Sequence, residues 1–152
     1  MKLAEALILK EDLQERLEKI EVRLLNNANV QEGEIPVENP QDLMADLEQV
    51  TEELTGLVIR INRTLGTVKF NDTDTISDII TKIDGILNKR EILSNFAEAA
   101  MIKPDRYRRS DLRYLSTVNV KELQKQVDEL SRQYRELDTR FQEKNWTIDL
   151  VE

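Results

Sequence analysis

Apolar residues return every three or four positions through most of this chain, the spacing of one face of an α-helix. From Lys2 to Asn29 the stripe is Leu3, Ala6, Lys10, Leu13, Leu17, Ile20 and Leu24. Lys10 interrupts it, and Leu7, Ile8 and Leu9 widen it, so the N-terminal end is expected to face two partners. Asn39-Pro40 opens a second helix over 40–65. Asparagine is a good cap, proline suits the first helical position, and Asp42 stands in the first turn, where the helix dipole favours an acid. Leu43, Leu47, Val50, Leu54, Leu57 and Ile61 then form a strict heptad seam, and Gly66 is the expected C-terminal cap.

A third helix is predicted over 75–101, capped by Asp74 or Thr75, with a broad apolar face from Ile76 through Ile83 and Leu87 to Phe96, Ala97 and Ala100. A fourth, over 119–144, is capped by Asn119 and carries the seam Val120, Leu123, Val127, Leu130, Tyr134, Leu137 and Phe141. The connections differ in character. Residues 30–39 are extended and acidic, and residues 67–74 are short and polar. Residues 102–119 are irregular and rich in arginine and tyrosine, with Pro104 ending the third helix. Arg113 to Val118 reads as an extended arm of a small hairpin. The tail NWTIDLVE holds the single tryptophan, Trp146, expected to anchor the tail onto the helices.

Helices of about 25 residues are roughly 40 Å long. Four of them with short connections predict an all-α fold in one domain over 1–152, built as long antiparallel helical hairpins or a four-helix bundle. Clean heptads also suit a coiled-coil seam between chains. Composition agrees: four glycines and three prolines in 152 residues are too few for the corners of a strand-and-turn fold.

Two absences narrow the chemistry. Without cysteine there are no disulfides, thiolate nucleophiles or Cys-based metal sites, and without histidine the usual general base and commonest metal ligand are missing. Helical glutamate pairs occur at Glu11 and Glu15, Glu18 and Glu21, and Glu48 and Glu52, the kind that can hold magnesium for nucleotide hydrolysis. They flank the seams instead of lying in them, so solvent-facing positions are expected. The reading is therefore no enzyme, no cofactor and no metal. A net charge of −8 marks an acidic protein and disfavours DNA and anionic membrane as partners. No stretch approaches the roughly 20 apolar residues of a spanning helix. The start, MKLAEALILKEDL, reads as helix and not as a signal peptide, so a cytoplasmic location is expected.

The densest candidate site is basic. Lys103, Arg106, Arg108, Arg109 and Arg113 stand against Asp105 and Asp111, a net +3 that leaves −11 on the rest of the chain. Tyr107 and Tyr114 interleave with the arginines, a pattern that grips phosphate or stacks on bases. In an up-down-up-down bundle the first and third connections share one end. The acidic counterparts Glu32, Glu34 and Glu38 would then pair with this segment, within a chain or across an interface. The alternative is a phosphorylated ligand or RNA.

The irregular stretches NANVQEGEIPVENP, INRT, DRYRRSDLRYLSTVNV and NWTIDL succeed one another in an order that resembles the septicolysin-like family of small bacterial helical proteins. The resemblance spans nearly the whole chain and is most specific from Arg106 to Val118. It implies a helical fold, a closed homo-oligomer, with a hexamer expected, and no established activity. The pore-forming role in that family's name does not suit these residues, which offer no spanning segment, no secretion signal and no long alternating strand. The reading as a whole is a self-assembling helical protein whose partner is itself.

Overall fold

The computed structural model describes residues 1–102 and 113–152. The protein is all-α, with α1 (Leu3–Asn26), α2 (Pro40–Thr67), α3 (Ile76–Ala100) and α4 (Val120–Asn145), each within three residues of its predicted bounds. The chain forms two compact units: Met1–Ile76 with Gln142–Glu152, and Ser77–Phe141.

In the first unit α1 and α2 pack as an antiparallel hairpin along the predicted stripes. Leu3, Ala6, Leu13 and Ile20 are buried on one side, and Leu43, Val50, Leu57 and Ile61 on the other. Fully burying such a side chain is worth roughly 1.5–3 kcal/mol, which makes this seam the main support of the unit. Lys10 is half-buried in its stripe position; its methylenes can follow the apolar surface while the ammonium stays wet. Both stripes continue one step further into polar residues, Asn27 after Leu24 and Thr64 after Ile61, and both are buried.

Asn39 caps α2 as predicted, its Oδ1 accepting from the Gln41 amide at 2.9 Å, with Pro40 in the first turn. The other end of α2 differs from the prediction. Gly66 is an ordinary helical residue, α2 runs to Thr67, and Val68, in extended conformation, donates its amide to the Thr64 carbonyl at 3.0 Å. A left-handed cap is unnecessary because the chain leaves directly into a tight reversal. Lys69 and Thr75 form an antiparallel bridge, and the Ile76 amide reaches the Val68 carbonyl at 3.1 Å. Asn71 closes the tip, its Oδ1 accepting from the amides of Thr73 and Asp74 at 2.9 and 2.7 Å.

The tail folds back onto this unit, but Trp146 does not anchor it: the ring is 55% exposed. Trp146 lies in the turn that ends α4, where the Thr147 and Ile148 amides still bond the Lys144 carbonyl. The segment after it is extended, so its side chains alternate, and Leu150 is the buried one. Backbone pairing completes the anchor. The Leu3 amide donates to the Ile148 carbonyl and the Leu150 amide to the Met1 carbonyl, both at 2.9 Å, while Lys2 and Asp149 pair at 2.7 Å. On the α2 side the Val151 amide donates to Thr64 Oγ1 at 3.0 Å and Arg60 Nε donates to the Val151 carbonyl at 3.1 Å.

In the second unit α3 buries Ile79, Ile83 and Ala97, and α4 buries Leu123 and Leu130, with Val127, Tyr134, Leu137 and Phe141 half-buried. The Arg90 guanidinium lies 5.5 Å from the centre of the Tyr134 ring, a cation–π contact joining the two helices. Asn119 caps α4 through a 3.2 Å bond from the Glu122 amide. Phe96, predicted as core, is largely exposed. Among the described residues Arg113–Val118 has no bridge partner, and Ser116 turns on itself, its hydroxyl donating to the Val118 carbonyl at 2.8 Å. Pro104 lies outside the described residues.

Candidate functional site

Arg106, Tyr107, Arg108 and Arg109 lie outside the described residues. Arg113 and Tyr114, next along the chain, are exposed. On the acidic side Glu32 and Glu34 are exposed, but Glu38 has a partner of its own. Arg23 Nε donates to both of its carboxylate oxygens, at 3.0 and 3.1 Å, and Arg23 Nη2 reaches Oε1 as well. The bonds from Arg23 hold the Glu38 carboxyl below the usual carboxylate range and raise the guanidinium in turn. Glu38 pairs with α1 because it stands just before the cap of α2, beside the last turn of α1.

Asn27 completes this clasp. Its Nδ2 donates to the Arg23 carbonyl at 2.8 Å and its Oδ1 accepts from the Glu38 amide at 3.0 Å. The connection between α1 and α2 is thus tied at its base, and its middle projects. Gly33 takes a left-handed turn (φ 87°), the Glu34 amide bonds the Gln31 carbonyl at 2.9 Å, and beyond them Ile35 is 87% and Val37 97% exposed. Val22, Leu25 and Val30, at the same end of α1, are exposed too. Val30, Ile35 and Val37 line one shallow hollow of the connection.

The second unit carries a groove of about 370 Å³ where α3 ends and the chain returns toward α4. Phe96, Ala100, Met101, Ile102, Tyr114 and Leu115 line it, and Leu115 is 81% exposed. Ile102 and Tyr114 flank the basic stretch in sequence, so the two candidate features, groove and arginines, adjoin along the chain.

Other chemistry is sparse. Among the described residues no group of three or more Asp and Glu side chains is arranged to hold a metal ion, and no helix is long and apolar enough to cross a membrane. Glu11, Glu15, Glu18, Glu21, Glu48 and Glu52 are all exposed, as their positions beside the seams predict. Asn62, Arg63 and Thr64, polar residues at the end of α2, divide between surface and interior. Thr64 is internal, its hydroxyl donating to the Arg60 carbonyl at 2.8 Å, while Arg63 Nη1 reaches the Glu152 carbonyl at 3.5 Å.

Sequence reasoning misses three residues that shape these surfaces, Arg23, Asn27 and Leu150, and the burial of a fourth, Thr64. The signal for Asn27 and Thr64 was present, since each falls on the next step of an apolar stripe. Nothing local marks the partner of Arg23.

Residues 10–150 match a family of unknown function, DUF6847. The chain belongs to this family. It is also similar to a solved crystal structure of a functionally unknown conserved protein from Corynebacterium diphtheriae. The two share 37% identity over 99% of each chain, with a TM-score of 0.92. No curated protein matches the chain. The all-helical fold agrees with these relatives, while neither of them supports the septicolysin-like resemblance.

Proposed function

We propose that this DUF6847 protein is an assembly protein of the cytoplasm, which associates with copies of itself into a closed homo-oligomer and works without a cofactor. The observation that carries this reading is the exposure of Val30, Ile35 and Val37 on the connection between α1 and α2, with Val22 and Leu25 exposed on the last turns of α1. Scattered single apolar residues on a surface are ordinary, but several on one connection tied at its base suit a contact surface. Burying apolar surface yields about 25 cal/mol per Å². The acidic net charge of −8 keeps such a protein soluble while these residues stay open to a partner.

Absolute mass by light scattering on a sizing column, at near-physiological and at high salt, tests this. The expected result is a discrete multiple of the 17.7 kDa chain that survives high salt, since apolar contacts are not screened. The septicolysin-like resemblance favours six chains. A 17.7 kDa particle at every concentration overturns the proposal, and excess absorbance at 260 nm would turn attention to RNA at the arginine segment.

A further inference from the structure

The segment that closes the first unit carries two periodicities. The α4 stripe of Tyr134, Leu137 and Phe141 continues at helical spacing through Lys144 to Ile148 and Val151. In extended backbone the same segment presents alternate positions, and this is how it buries Leu150. Residues 142–152 contain no glycine or proline that would forbid a helix. The backbone beyond Asn145 thus has two ways to be ordered. The structure shows the extended one, yet the first bond of a further helical turn is already made: the Ile148 amide donates to the Lys144 carbonyl at 3.1 Å.

Asn145, the last residue of α4, sets the balance. It is only 1% exposed, and among the described residues no donor reaches its Oδ1. The buried polar residues that end the other two stripes are satisfied, Asn27 by the Glu38 amide and Thr64 by the Val151 amide. A carbonyl oxygen taken out of water without a donor destabilises the state that buries it. The extended state therefore carries a cost beside its own hinge. Against it stand the Leu3 and Leu150 amide bonds, the Lys2–Asp149 pair and the Val151 amide on Thr64.

We propose that residues 146–152 are a two-state strap. In one state it lies extended across the first unit, as in this structure. In the other it continues α4 through Val151, withdraws Leu150 and returns Asn145 Oδ1 to water. Release frees the Leu3 amide, the Met1 carbonyl and Thr64 Oγ1 together, so a ligand that binds those groups holds the strap open. The device is independent of self-assembly, since every contact it uses lies within the first unit of one chain.

Amide hydrogen exchange on the full chain tests the opening. The Leu3, Leu150 and Val151 amides are expected to be at least about tenfold less protected than those of Leu13 and Val50 in the α1–α2 seam, the mark of local opening. Protection equal to that of the seam overturns the strap.

Two variants test its states. Leu150→Ala removes the side chain that anchors the extended state, and carbon chemical shifts of residues 146–151 are expected to become helical while the seam amides stay protected. Random-coil or extended shifts overturn the helical state. Asn145→Leu keeps the size of the side chain and removes the unpaired oxygen, so protection of the Leu150 amide is expected to rise about fivefold or more. Unchanged or lower protection overturns the part given to Asn145. This second variant removes no bond of the closure, so it decides the matter even where Leu150→Ala does not fold.

Discussion

Asn27 uses both halves of its amide where α1 stops, donating to the Arg23 carbonyl and accepting from the Glu38 amide. Truncation to alanine leaves that inward amide without an acceptor, which costs about 1–3 kcal/mol. Asn27→Ala is therefore expected to lower the denaturant midpoint in equilibrium unfolding, with the slope unchanged. The neighbouring ion pair makes a prediction in pH. Bonding to Arg23 holds the Glu38 carboxyl below its ordinary value of 4.5. The pair thus stabilises the fold above that value, and the contribution fades as pH falls through the lower, folded-state value. Glu38→Gln should melt below the wild type at neutral pH, and the two melting curves should converge as the pH drops below about 4. The difference will be modest, because the pair is open to solvent. Neither side chain could be matched to its partner from sequence. An ion pair across fifteen positions depends on where the connection brings Glu38 back.

At the scale of elements the seams were legible and the ends less so. Leu43 to Ile61 in α2 repeats at helical spacing, and any packing partner must meet that face. Where a helix stops depends also on the path of the next segment of chain. Gly66 has the identity of a left-handed cap, yet the reversal stitched by Val68, Lys69 and Thr75 lets α2 end in extended backbone two residues later. Alanine separates the two cases. A Cβ added at Gly56 or Gly66 meets nothing within 4 Å, and neither residue has a positive φ. Gly56→Ala and Gly66→Ala should each raise the melting temperature, by up to about 1 kcal/mol in stability, because alanine loses less backbone freedom in a helix. A left-handed cap at Gly66 would reverse the sign there.

At the scale of the molecule, the first unit is closed by residues from both ends of the chain. The Leu3 and Leu150 amides bond across the tail, and Thr64 receives the Val151 amide. Leu150→Ala removes the buried side chain of that closure and should cost about 2–5 kcal/mol. Hydrogen exchange should show the Leu3, Leu150 and Val151 amides losing protection together, whereas Trp146→Ala, at an exposed ring, leaves them protected. The order of effects is the reverse of what composition suggests. A lone tryptophan in a short tail looks like the anchor, but an extended segment buries alternate side chains and pairs its backbone, and here that selects Leu150.

Period and capping were enough for four helices, their stripes and two of their caps, since Leu, Ile and Val every three or four residues, with Asn39 and Asn119 before them, leave few other ways to bury apolar surface. The absence of histidine and cysteine limited the chemistry just as directly. Three things required the folded chain: the clasp of Arg23, Asn27 and Glu38, the closure through Thr64 and Leu150, and the exposure of Ile35, Val37 and Phe96. Each is a contact, or the lack of one, between residues far apart in sequence. Local spacing records which residues share a face, while the path of the connections decides what that face meets.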